Sequence, residues 1–210
     1  MIATTAAAAV LLRYATQLER AKEPQTLVFT YIVSQLGPQD IDQTHRIYRS
    51  GNLVRDETLI VDGTPLRSTK IARYRNRYTL RNIAPHTGAY RFSFLGAIKN
   101  GKQLDYVYRA IPLGAPTAFA VQRITIDGRK FLPREIRFHT IGVAARGFGT
   151  MTFVAAGKYW VPSSVAVQGT VNGRIARERI LFSGYQFPPT LPRSIFTAPR
   201  PLPLPVLPEF

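Results

Sequence analysis

Residues 90–111 read YRFSFLGAIKNGKQLDYVYRAI, and this stretch decides the fold. Phe92 and Phe94 share one parity before Asn100-Gly101, and Tyr106 and Tyr108 share one parity after it. Period two is the signature of a strand, and Asn-Gly supplies the positive φ values of a tight hairpin turn. Two antiparallel strands, Tyr90–Ile98 and Gln103–Ile111, are therefore expected.

The same grammar extends in both directions. Upstream, Leu27, Phe29, Tyr31 and Val33 alternate with Val28, Thr30, Ile32 and Ser34 until Gly37-Pro38. Strands follow at Asp42–Arg49 and Leu53–Val61 around Ser50-Gly51-Asn52, then Asp62-Gly63 turns the chain toward a strand at Thr69–Leu80. Asn82–Gly88, with Pro85, reads as a loop. Downstream, Ala118–Ile126 turns at Asp127-Gly128 and Pro133 into Glu135–Ile141. Gly149–Ala155, Trp160–Thr170 and Arg174–Phe182 are separated by Gly157 and Asn172-Gly173. Parallel strands need crossovers of about a dozen residues or more, and none is present between these segments. The pattern predicts a mainly β protein, a curved antiparallel meander of ten to eleven strands.

The first segment differs. Val10, Leu11, Tyr14, Leu18 and Ala21 recur at three- and four-residue steps, which marks one apolar face of a helix. Thr4 or Thr5 is the expected cap, and Pro24 ends the pattern. Residues 1–10 also fit the remnant of an export signal, although the charged start of an intact one is missing. Pro188–Phe210 is proline-rich and is expected to be polyproline II or disordered. The chain thus divides into a helix (1–25), a β domain (26–187) and a tail (188–210).

Composition narrows the function. The 210 residues include 28 basic and 12 acidic side chains, a net charge of +16. Such an excess suits an anionic partner or a solvated surface. Cysteine is absent, which removes disulfides, thiolate metal sites and cysteine nucleophiles together. No stretch approaches the roughly 20 apolar residues of a membrane-spanning helix. There is no phosphate loop, no His-Glu-x-x-His and no Gly-x-Ser-x-Gly. His45, His86 and His139 lack ligand spacing, so no metal and no cofactor is expected. Asp62 and Asp127 precede glycines and read as turn residues. Asp105, Glu135 and Glu178 lie in strands beside arginines, where cross-strand ion pairing is the plain reading. The neighbours Asp56 and Glu57 would need a shared cleft to act as an acid–base pair. No enzymatic activity is expected.

The aromatic residues remain: 12 Phe, 10 Tyr and 1 Trp, mostly on strands. Leu11, Leu18, Phe29, Tyr31, Phe92, Phe94, Tyr106, Tyr108, Phe138, Phe153 and Trp160 are the candidates for lining a hydrophobic ligand cavity. In a closed, filled barrel the same side chains are core, and periodicity does not separate the two. Arg73, Arg75 and Arg77 alternate with Tyr74 and Tyr78, so the guanidinium groups share a face and are candidates for anionic head groups. The tyrosines point to the other face, which disfavours a nucleic-acid stacking platform.

Several short motifs resemble the LolA/LolB-like lipoprotein-carrier superfamily of bacterial envelope proteins. They are the N-terminal helix Val10–Ala21, the strand Leu27–Gln35, and Leu104-Asp105-Tyr106-Val107-Tyr108 with Pro112. Ile124-Thr125-Ile126-Asp127, Pro133-Arg134-Glu135-Ile136, Tyr159-Trp160-Val161-Pro162 and Phe182–Phe187 continue the likeness to Phe196. The resemblance implies a half-open barrel of about eleven strands with helices against an apolar concave face. It implies an exported carrier or sensor for a hydrophobic or acylated ligand, a lipid or lipoprotein. The protein is expected to be monomeric, and the exposed arginines would meet anionic head groups or an anionic membrane surface. Carriers of this kind have a helical lid after the first strands, whereas Thr79–Gly88 is short and broken by proline. The alternative class is a polyanion or nucleic-acid binder driven by the charge.

Overall fold

A computed structural model of the chain describes residues 2–37, 40–73, 79–115, 119–140, 145–171 and 173–197. Helix α1 (Ile2–Arg20) leads into β1 (Thr26–Leu36), β2 (Ile41–Ser50), β3 (Leu53–Val61) and β4 (Thr64–Arg73). A one-turn helix α2 (Leu80–Ile83) precedes β5 (Tyr90–Asn100) and β6 (Gln103–Pro112). The rest is β7 (Phe119–Ile126), β8 (Pro133–Thr140), β9 (Ala145–Ala156), β10 (Tyr159–Val171) and β11 (Arg174–Gln186), then a 3₁₀ turn at Arg193–Phe196.

The strands form one antiparallel sheet in the order β4-β3-β2-β1-β11-β10-β9-β8-β7-β6-β5. The expected meander is broken once, between β4 and β5, and β11 returns to pair with β1. β4 and β5, neighbours in sequence, are left as the two edges. The sheet is curved and unclosed, a half-open barrel with α1 against its concave side.

Cross-strand registers carry one row of apolar side chains across that inner face. Val33 opposes Ile180, which opposes Val165, and the row continues through Met151, Ile136, Ile124, Tyr108 and Phe94. Over β5–β10 this row is covered by α1. Ala7, Val10, Tyr14 and Leu18, one stripe of the helix, are buried with Tyr108, Val121, Ile124, Ile126, Ile136, Phe138 and Phe153. Each large aliphatic in this cluster stabilises the fold by about 1.5–3 kcal/mol relative to exposure. Two hydrogen bonds fix how the helix sits. The Tyr14 hydroxyl donates to Pro85 O at 2.8 Å, and the Tyr108 hydroxyl donates to Ala7 O at 2.8 Å. Burial raises both phenol pKa values, that of Tyr108 to about 12.

The turns follow their residues. Asp62 and Gly63 both have positive φ (48° and 75°), the geometry of a two-residue I′ turn. At Gly128 space decides, since a Cβ there would fall on the Leu104 carbonyl oxygen. Asp127 holds this second turn, accepting from the backbone N–H of Arg129 (2.9 Å) and Lys130 (2.7 Å). Asp105, fully buried, pairs with Arg134 at 2.8 Å, and Arg134 also pairs with Asp127.

Four sequence expectations are corrected. The helix begins at Ile2, so Thr4 and Thr5 lie within it and not at its start. The strand after Asp62-Gly63 starts at Thr64, and Leu80 belongs to α2. Asn82 and Ile83, read as loop, are in that helix, where Thr79 caps the Asn82 N–H and Leu80 and Ala84 are buried against α1. The tail is not detached where it is described. Phe196 is buried with Val28 and Tyr48 on the outer face, and Ile195 O accepts from Arg55 Nη1 at 2.8 Å. Residues 198–210 lie outside the described part. Arg55 itself is buried and paired with buried Glu57 at 2.7 Å.

Two measurements check these contacts. Arg55→Met removes the guanidinium paired with the buried Glu57 carboxylate and should destabilise the fold by about 3–5 kcal/mol, read as the urea-unfolding free energy. Adding Glu57→Leu should recover most of that loss. Burial alone would raise the Asp127 pKa, but the Lys130 and Arg129 backbone N–H groups, with Gln103 and Arg134, outweigh it and hold the carboxyl below the usual carboxylate range. Its folded-state pKa is thus below the unfolded one. The stabilisation is present above the unfolded value of about 3.9 and is lost as pH falls through the folded value. The urea midpoint should drop on acidification below about pH 4, and Asp127→Asn should flatten that drop.

Candidate ligand-binding face

The concave face has two halves with different surroundings. Over β5–β10 the aromatic side chains are packed beneath α1. Over β1, β2 and β11 they form a separate band. β1 directs Phe29 and Tyr31 inward, and its register with β11 sets Phe182 opposite Tyr31. Phe29 lies 6.0 Å from Phe182 and stacks on Tyr185 at 5.4 Å between ring centres. Tyr185 continues the band to Phe187 (6.2 Å), and Phe187 to Tyr159 (4.5 Å). All of these rings are half-buried. None of them belongs to the cluster that contains the helix stripe. A positive φ at Gly184 (63°) bends β11 between Phe182 and Tyr185 and lets both rings reach Phe29.

A polar group borders the band. His45 is buried and lies flat against Tyr31, 4.6 Å between centres and 5° between planes. Its Nδ1 meets Asp56 Oδ1 at 2.8 Å and its Nε2 meets Gln43 Oε1 at 3.0 Å. The Tyr31 hydroxyl donates to the other Asp56 oxygen at 3.3 Å. Both imidazole nitrogens are thereby engaged, and the group's effect is to fix the plane of Tyr31. Asp56 and Glu57, adjacent in β3, face opposite sides of the sheet: Asp56 meets His45 inside and Glu57 meets Arg55 outside. They do not form an acid–base pair. The Tyr185 hydroxyl donates to Pro162 O at 2.8 Å, and burial raises its pKa.

The candidate lining residues separate accordingly. Leu18, Tyr108, Phe138 and Phe153 are buried core, with Leu11, Phe92, Tyr106 and Trp160 packed against it. Phe94 is 40% exposed at the β5 edge, 5.3 Å from the Tyr108 ring. Phe29 and Tyr31 alone lie in the open band. Phe182, Tyr185, Phe187 and Tyr159 were not among the candidates. The signal for Phe182 was its parity with Ile180, but membership of the band depends on the β1–β11 pairing.

The arginine stripe is only partly described. Arg73 lies on the outer side of β4 and lines a cleft of about 590 Å³ with Leu53, Ile71, Arg193 and Phe196. Arg75 and Arg77, with Tyr74 and Tyr78, fall outside the described residues. A smaller cleft of about 280 Å³ lies between Tyr14, Leu18 and Glu19 of α1 and His86-Thr87. Glu135 pairs with Arg137 two residues along its own strand (2.8 Å), and not across strands as expected. Among the described residues no group of three or more His, Asp or Glu is placed to hold a metal ion, and no helix is long and apolar enough to cross a membrane.

No protein-family model matches the chain, and no curated protein does. Among solved structures it is similar to a LolA superfamily protein from Nitrosomonas europaea, at 13% identity, 88% coverage of this chain and 96% of that one, with a TM-score of 0.45. It is also similar to an outer membrane lipoprotein-sorting protein domain from Vibrio parahaemolyticus (16% identity, 90% and 97% coverage, TM-score 0.48). A third is a DUF1329 family protein from Desulfovibrio piger (9% identity, 89% and 96% coverage, TM-score 0.49). The architecture described above stands on this chain's own strand order and registers.

The two halves should respond differently to truncation. Phe138→Ala, beneath the helix, should cost about 3–5 kcal/mol of unfolding free energy. Phe182→Ala, in the half-buried band, should cost less than about 1.5 kcal/mol. Equal losses in urea unfolding would mean that the band is ordinary core.

Proposed function

We propose that the protein is a non-enzymatic carrier of a hydrophobic or acylated ligand in the cell envelope, with apolar chains lying along the Phe29–Tyr31–Phe182–Tyr185 band. The observation that supports this reading is the half-covered concave face: α1 fills the β5–β10 side and leaves a contiguous aromatic surface over β1 and β11. Rings held by His45, Asp56 and Pro162 need little reorganisation to accept a flexible chain, which favours binding. Each methylene brought out of water adds about 0.8 kcal/mol, so a few methylenes against these rings already give measurable affinity. The resemblance of the sequence motifs to envelope carriers suggests the setting.

Gentle purification followed by lipid extraction and mass spectrometry should recover bound lipid. In titrations with a fluorescent fatty acid, Phe182→Ser should weaken binding by about 10-fold or more, while Leu36→Ser, exposed and outside the band, should leave it unchanged. A protein that yields no extractable lipid and binds the probe equally well with or without Phe182 would sink the proposal.

A further inference from the structure

The registers that build the apolar row inside also build a row on the outer face, one residue along each strand. Arg109 of β6 lies directly opposite Arg123 of β7, and Arg123 directly opposite Arg137 of β8. Their inward neighbours are Tyr108, Ile124 and Ile136, so the guanidinium groups leave the opposite side of the sheet. With strands about 4.8 Å apart, the three arginine Cα positions lie within about 10 Å of one another. Like charges directly opposite on a sheet repel and destabilise it. Only one anion offsets them among the described residues, Glu135 on Arg137 at 2.8 Å. Arg123 Nε and His139 Nδ1, on the same face, are buried and have no hydrogen-bond partner. Phe148, the register partner of His139, is 61% exposed beside this group.

We infer that the Arg109–Arg123–Arg137 ladder is a docking surface for an anionic phospholipid membrane. Guanidinium forks match phosphate oxygens in pairs, so lipid phosphates placed over the ladder offset the repulsion between strands. The exposed Phe148 at the margin of the ladder suits insertion at the head-group boundary, where aromatic rings sit with one side apolar and the other wet. A single-stranded nucleic acid would instead need several rings among the cations as a stacking track, and the ladder's own row carries none: it runs from Ser93 through the arginines to Thr150 and Ala166. The inference concerns the outer face and does not rest on ligand binding inside.

The test is co-sedimentation with large vesicles of phosphatidylcholine alone or with about 30 mol % phosphatidylglycerol, at about 50 and about 300 mM salt. The intact chain should bind the anionic vesicles at low salt, weaken at high salt and ignore the neutral ones. Arg109→Gln/Arg123→Gln/Arg137→Gln should lower partitioning by roughly 100-fold, as expected for three cations at a charged surface. Arg20→Gln/Lys22→Gln/Lys102→Gln removes the same charge from exposed sites elsewhere and should change it by less than about 5-fold. Arg109→Gln alone, at an exposed position, keeps the fold out of question and should show a partial loss. Fatty-acid binding should be unchanged in the ladder variants. Equal losses in both triple variants would reduce the effect to net charge and overturn the proposal. Equal binding to neutral vesicles, or tighter binding to a single-stranded oligonucleotide than to vesicles, would overturn it as well.

Discussion

The pairing of β1 with β11 is the constraint on which the rest depends. Without it the chain would be two separate meanders, β1–β4 and β5–β11, each with two unpaired edges. With it, one sheet has its earliest and latest strands side by side in the interior and its free edges at β4 and β5. The pairing also fixes registers across all eleven strands, because a slip of one residue would turn Val33, Ile180 and Val165 to solvent and expose the core row.

Helix α1 then divides the concave face. It comes before the sheet in sequence and lies over its later strands, so its apolar stripe is used up on β5–β10. Tyr14 and Tyr108 tie it there through hydrogen bonds whose loss would leave a buried phenol hydroxyl without a partner. Among the described residues, nothing gives the early strands such cover on the inside. On the outside they are covered by the chain's other end, where Phe196 and Ile195 meet Val28, Tyr48 and Arg55. One wing of the sheet is therefore packed on its inner side and the other on its outer side. This asymmetry produces an aromatic surface inside and a cationic ladder outside in the same molecule.

Side-chain polarity alone would misplace several charged groups. Arg55, Glu57, Asp105 and Asp127 are among the most buried residues in the protein, each satisfied by specific partners. Arg109 and Arg123, with the same chemistry as Arg55, face one another without carboxylates between them. The difference lies in what the fold sets opposite each strand position.

The sequence by itself determined the strands and turns. Period-two alternation located β1–β3 and β5–β11 within a few residues, and the Asp62-Gly63, Asn100-Gly101 and Asp127-Gly128 pairs marked turns correctly, because these signals are local properties of backbone and side chain. The helical stripe Val10–Leu18 was legible for the same reason. β4 was set too late, since Pro65 obscured its start and the alternating arginines suggested a strand through Leu80. Which aromatic residues are core and which are open was settled only by tertiary structure. Phe138 and Phe182 look alike in sequence, yet one packs in the cluster beneath α1 and the other lies outside it. The arginine ladder was hidden too: Arg109, Arg123 and Arg137 stand fourteen residues apart, and only long-range strand registers make them neighbours.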